Sequence, residues 1–130
     1  MSVFVRFVVA ERDDRSNQQR GIFTALYDLE EKGLLEPHEL TWFRELDTWF
    51  DRHLAQPERL AWSARPNAPE RAITWLRMTA GEHLRNMRQL VTLLEHKGVL
   101  VEELRTDKPG YVVYEDAHQV AAIPFPNETF

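Results

Sequence analysis

Two aromatic pairs seven residues apart, Trp42-Phe43 and Trp49-Phe50, restrict the fold of this chain more than anything else in it. Between Leu40 and Leu54 the apolar positions are Leu40, Trp42, Phe43, Leu46, Trp49, Phe50 and Leu54, set among charged residues. At about 100° per residue they cover roughly 140–180° of a helix. A helix with a single core contact needs a stripe nearer 100° wide. The surplus must be buried under a second element of the same domain or against another chain. Trp42, Phe43, Trp49 and Phe50 are therefore the candidate interface residues.

The rest of the chain reads as one α+β domain, 1–130, in the order β-α-α-α-β-β-β. Val3–Val9 is rich in β-branched and aromatic residues and reads as a strand with apolar residues on both faces. The charged run Glu11–Arg15 reads as a loop. Ser16 and Gln19 match a capping box, so a first helix is expected from about Asn17 to Lys32, with Gly33 ending it. Leu29–Leu34 is nearly repeated as Leu94–Val99; two glycine-terminated helix stops account for the likeness. Pro37 suits a first helical position and opens the second helix, which runs to about Leu54. Ala55–Pro66 is expected to be a loop pinned by Trp62.

Asn67 and Glu70 resemble another capping box. A long third helix is expected from about Ala68 to Lys97, with Ile73, Leu76, Ala80, His83, Met87, Leu90 and Leu94 along its seam. Gly81 then falls mid-helix. Val99–Arg105, Tyr111–Glu115 and Gln119–Pro124 read as strands, the last two joined by a hairpin at Asp116-Ala117-His118. Pro109-Gly110 fits the centre of a type II turn. A mostly antiparallel sheet of about four strands, joined by the first strand, should pack on the three helices. The tail 125–130 is expected to be flexible.

The chain is acidic, with formal net charge −5. That argues against nucleic acid and against anionic membrane surfaces, both of which need a basic face. Arg77, Arg85 and Arg88 share a side of the third helix, but Glu82 and Glu95 dilute it. Cysteine is absent, which removes disulfides, thiolate nucleophiles and zinc–thiolate sites and fits a reducing cytoplasm. The apolar N-terminal stretch is too short to span a membrane and lacks the layout of a signal peptide.

Chemistry has few places to reside. No two of His38, His53, His83, His96 and His118 lie three or four apart, so no metal is expected, and no cofactor motif is present. Glu115 and His118 form an ExxH, though at a strand end. His83, beside Glu82, reads as a core-edge histidine with an acid–base or interhelical role as the alternative. Serine occurs only at positions 2, 16 and 63, without a nucleophile-elbow motif. The best enzyme-like group is Arg105, Tyr111, Tyr114, Glu115, Asp116 and His118, within fourteen residues. There Arg105 would hold an anionic group, His118 would transfer protons, and Tyr111 or Tyr114 would stack or donate. In architecture alone, a strand, helices and a strand meander with Arg, Tyr and His resembles the small ribosome-dependent RNase toxins of the RelE type. Three helices stand where those toxins have two, no motif matches, and no residue is carried over.

Two functions are expected from these features. The leading one is a small cytoplasmic protein of bacterial character. It would act as a protein–protein interaction or regulatory module, homodimeric through the second or third helix and without catalysis. The alternative is a small enzyme or ligand-binding domain that uses the C-terminal Arg/Tyr/His group on RNA or a small anion.

Overall fold

The computed structural model describes residues 3–12, 19–56 and 72–126. Along these the chain forms β1 (Phe4–Arg12), β2 (Gln19–Gly21), α1 (Ile22–Glu31), α2 (Pro37–His53) and β3 (Ile73–Arg77). It continues through α3 (Gly81–His96), β4 (Val101–Thr106), β5 (Tyr111–Glu115) and β6 (Gln119–Ile123). The fold is α+β. Among the described residues three helices cover one face of an antiparallel sheet of six strands, where the sequence predicts about four.

β4 pairs with one side of β1 along Phe4–Val9. The other side of β1 is shared: β3 takes Phe4 and Val5, and β2 takes Val8 and Arg12. Arg6 and Phe7 fall in the gap between those two partners. β6 then pairs with β3, and β5 with β6, giving the order β4-β1-β3-β6-β5 with β2 beside the far half of β1. Alternation places Val5, Phe7, Val9 and Leu76 toward the helices, where they meet Leu26, Phe43, Leu90 and Leu94. On the opposite face Ile73, Trp75 and Val120 form a smaller cluster with Phe4 and Leu104.

Local sequence explains the helix ends. Gly33 and Gly98 have positive φ, +69° and +82°, which a residue without Cβ adopts at no steric cost. The Leu34 N–H then reaches the Leu29 carbonyl and the Val99 N–H the Leu94 carbonyl, at 2.9 and 3.0 Å. Each is the wider of the two bonds that close a Schellman stop. Pro37 opens α2, as expected, behind a capping box between Glu36 and Glu39. Gly110 is needed for a close approach: any Cβ there would collide with the Ile123 carbonyl.

The long third helix is not formed. Ile73–Arg77 is a strand, and the helix begins only at Gly81. Ile73, Leu76, Ala80 and His83 keep a helical spacing by coincidence. What decides the segment is that Ile73 and Trp75 bury on one face and Leu76 on the other, which a strand between β1 and β6 achieves. Gly81 consequently opens a helix and does not interrupt one. The first helix likewise starts at Ile22, five residues later than expected, because Gln19–Gly21 pairs with β1. The expected capping residues Ser16, Asn67 and Glu70, most of the charged run, Trp62 with most of its loop, and the tail from 127 onward lie outside the described residues. Phe125, within the expected flexible tail, packs edge-on against Tyr111 with ring centroids 4.8 Å apart.

Candidate functional site

The aromatic side chains of α2 pack within the subunit, Phe43 and Phe50 buried and Trp42 and Trp49 in part. Phe43 is fully buried with Tyr27 edge-on to it, and Phe50 meets Phe23 edge-on at 5.3 Å. Trp42 is half-buried and donates its indole N–H to Gln89 Oε1 at 3.2 Å. Trp49, also half-buried, stacks on His53 with ring centroids 4.4 Å apart.

From Trp49 a train of rings continues. His83, on the first turn of α3, lies 4.8 Å from Trp49, and His118 stacks on His83 at 4.3 Å. His83 Nε2 is 2.8 Å from the His53 carbonyl. A carbonyl only accepts, so this nitrogen carries the proton. It thereby satisfies one of the carbonyls left over at the end of α2. The geometry gives His83 both a core-edge position and the interhelical role that the sequence offers as the alternative: the buried ring fastens α2 to α3. Among the described residues no group of three His, Cys, Asp or Glu side chains is placed to hold a metal ion.

The turn after β5 is organised by Asp116. Its carboxylate accepts from the His118 N–H at 2.8 Å, the Gln119 N–H at 3.0 Å, the Tyr114 hydroxyl at 2.8 Å and Gln119 Nε2 at 3.1 Å. Burial alone would raise this carboxyl; the hydrogen bonds outweigh it and hold the group below the usual aspartate range. The bond to Asp116 in turn raises the Tyr114 phenol. Tyr114, Asp116 and His118 are thus together, as one structural knot. Tyr111 lies further along the same outer strand, and Arg105 does not join them. It sits on β4 at the other edge, four strand spacings or roughly 19 Å from β5, and pairs with Glu103.

Gln119 connects this knot to a cleft. It is fully buried on the helix-facing side of β6, and its Nε2 also donates to the Ala55 carbonyl at 2.6 Å. Two acceptors on that side fix which end of the amide is nitrogen. The other end, Oε1, is buried without a donor among the described residues. An acceptor in that condition costs about 1–3 kcal/mol of lost solvation. Beside Gln119, whose oxygen itself has no accessible surface, lies a cleft of about 310 Å³ between α1, the C-terminal half of α2, β3 and β6. Phe23, Tyr27, Phe50 and Leu54 give it apolar and aromatic walls; Asp47 and Asp51 stand on its α2 side.

A second cavity of about 190 Å³ shares Phe23, Leu54 and Thr74 with the first and lies at the gap in the sheet, against Arg6, Phe7 and Gly21. The Arg6 guanidinium reaches toward the Thr74 carbonyl there at 3.5 Å, and burial pulls its pKa down to about 10. The first cavity is lined by both polar and apolar side chains, the second mainly by apolar ones.

Sequence reasoning points to Phe50, His83 and His118 but misses Tyr27, Asp47, Asp51 and Gln119. Asp47 and Asp51 are the available signal, because like charges at i and i+4 on one helix face oppose helix stability. Among the described residues no helix is long and apolar enough to cross a membrane. No protein-family model matches the chain, no curated protein matches it, and no solved structure matches its fold.

Proposed function

We propose that this chain is a small-ligand-binding domain and that the cleft beside α2 is its binding site. The observation that carries this reading is the cleft itself, with aromatic and aliphatic walls from Phe23, Tyr27, Phe50 and Leu54 and the Asp47 and Asp51 carboxylates on one side. Pockets for small molecules combine such walls with a few convergent polar groups, and about 310 Å³ falls at the small end of their range. The absence of cysteine suits a domain working in a reducing cytoplasm. A fragment screen by NMR tests the reading. Binders should shift the amides of Phe50, Leu54, Thr74 and Gln119 together. A screen with no binders, or with binders that map elsewhere, removes it.

A second reading, a homodimeric or regulatory interaction module, draws on a different place from the aromatic helix that suggests it in the sequence. The outer strand β5 pairs with β6 alone among the described residues, and exposes Tyr111 at 39% and Val112 at 47%. An open strand edge with apolar side chains can pair with a second copy. Light scattering at high micromolar concentration decides it: a strict monomer excludes the dimer.

A further inference from the structure

His83 is a buried titratable ring that the cleft does not use. Its Nε2–H is spent on the His53 carbonyl at 2.8 Å, at the end of α2. One face of the ring is covered by His118, an exposed residue of the turn between β5 and β6, with the planes 24° apart and the centroids 4.3 Å apart. Trp49 and Phe50 of α2 meet the His83 ring edge-on, at 4.8 and 6.2 Å. Neither His83 Nδ1 nor either ring nitrogen of His118 bonds another group among the described residues. Three elements therefore meet at this stack: the end of α2, the first turn of α3 and the β5–β6 turn.

We infer that the stack is an acid-sensitive clasp, which holds the β5–β6 turn on the α2–α3 junction as long as no more than one of its two rings is charged. Imidazole is the side chain whose charge changes near neutrality. Like charges about 4 Å apart repel even in water, by about fivefold in an equilibrium constant. The surroundings set how many protons the pair takes. On the turn, the Asp116 carboxylate accepts from the His118 backbone N–H at 2.8 Å and favours a first proton there. From β3, Arg77 donates to the Asp116 carbonyl at 2.8 Å and pairs with Glu115 at 3.3 Å, which offsets the negative charge of the turn. On α2, His53 stacks on Trp49 and donates its Nδ1–H to the Trp49 carbonyl, so its own titration adds a charge of the same sign. On α3, Glu82 and Arg85 flank His83 with opposite charges, and neither bonds its ring. A second proton on the stack thus has no counter-charge of its own. The unfolded chain separates the rings and takes both protons. Stability from the clasp is therefore present above the ordinary histidine value, about 6.5, and is lost as pH falls below it. Gln119 follows His118, Ala55 lies just past His53, and the two are bonded at the border of the cleft, so acid loosens that wall. The clasp stands whether or not the cleft binds a ligand.

The experiment compares the full natural chain with His118→Phe, which keeps a ring on His83 but carries no proton, and with His118→Gln, which is uncharged and has no ring. Urea denaturation is run at about pH 8 and about pH 5, either side of the ordinary histidine value. His118 is exposed and its bond to Asp116 comes from the backbone N–H, so both variants retain the fold. From the higher to the lower pH the folding equilibrium constant of the natural chain should fall at least about fivefold more than that of either variant. NMR of the folded proteins gives the local readout. Acid should shift the amides of His53, Ala55 and Gln119 together in the natural chain and much less in the variants. An acid loss equal in all three proteins would overturn the clasp. So would turn and α2 amides that respond to acid in the variants as they do in the natural chain.

Discussion

In the N-terminal half of α2 every polar contact with the core is answered by an opposite or complementary group. Glu39, almost fully buried, accepts from the Glu36 N–H at 2.8 Å and from Lys97 Nζ at 2.6 Å. Trp42 reaches Gln89, and Phe43 is enclosed on all sides. In the C-terminal half of the same helix, Phe50 and Leu54 border open space and two carboxylates have neutral hydrogen-bond partners. The helix is continuous, so local propensity does not separate the halves. What differs is the neighbour: Gln89 and Lys97 of α3 answer the polar groups of the first half, whereas the second half, though His83 of α3 is fastened to its end, turns Phe50 and Leu54 toward the cleft. One end of α2 is assembled for stability and the other retains unmet hydrogen-bonding capacity, which is what a binding site requires.

The largest test of this contrast is a pair of truncations with the same chemistry. Phe43→Ala leaves an enclosed cavity and should destabilise by about 3–5 kcal/mol. Phe50→Ala removes the same ring beside a cleft already open, so the cavity term is smaller and the loss should be less by about 1 kcal/mol or more. Urea denaturation of both variants measures the difference. Equal losses would mean that the two ends of α2 are packed alike.

A smaller effect, with a pH signature, is expected at the Glu39–Lys97 pair. Hydrogen bonds from Lys97 and from the Glu36 N–H hold the Glu39 carboxyl below its ordinary value of 4.5. A depressed folded-state pKa contributes stability above the ordinary value and loses it as pH falls through the folded one. Glu39→Gln should therefore be less stable than the natural chain near neutrality, and the gap should close as pH falls below the ordinary carboxyl value of 4.5 and through the lower folded-state one. Thermal melts across that range decide it. A gap independent of pH would show that packing, and not the charge, holds the N-terminal end.

Much of this contrast is out of reach of the sequence, for physical reasons that differ by segment. Helix stops at Gly33 and Gly98, the Pro37 start and the Asp116 hairpin are legible because each is a local conformational requirement. Ile73–Arg77 misleads because its apolar spacing satisfies both repeats, and only the neighbours β1 and β6 select the strand. The width of the α2 arc correctly announces a second contact, which proves to be α1, α3 and the histidine stack. The cleft itself draws residues from α1, α2, β3 and β6, up to 96 positions apart between Phe23 and Gln119. No periodicity carries such a relation. Gln119 in particular reads as an ordinary strand residue until both of its amide ends can be followed to their surroundings.

The smallest expected effect is also the one with the opposite sign. Replacing Glu39 removes an attraction, whereas the double change Asp47→Asn with Asp51→Asn removes a repulsion between carboxylates one turn apart. Without ligand the double variant should be as stable as the natural chain or more so, by about 0.2–0.5 kcal/mol. Tyr27 supplies a second readout. Its phenol is held high by burial first and by these carboxylates next, so in the double variant it should titrate at lower pH, still above an exposed tyrosine. Ring NMR shifts followed into the alkaline range report it. A double variant that is clearly destabilised would mean that Asp47 and Asp51 hold the fold together. The two ends of α2 would then obey one rule, because a carboxylate that stabilises the empty protein has no unmet demand to place on a ligand.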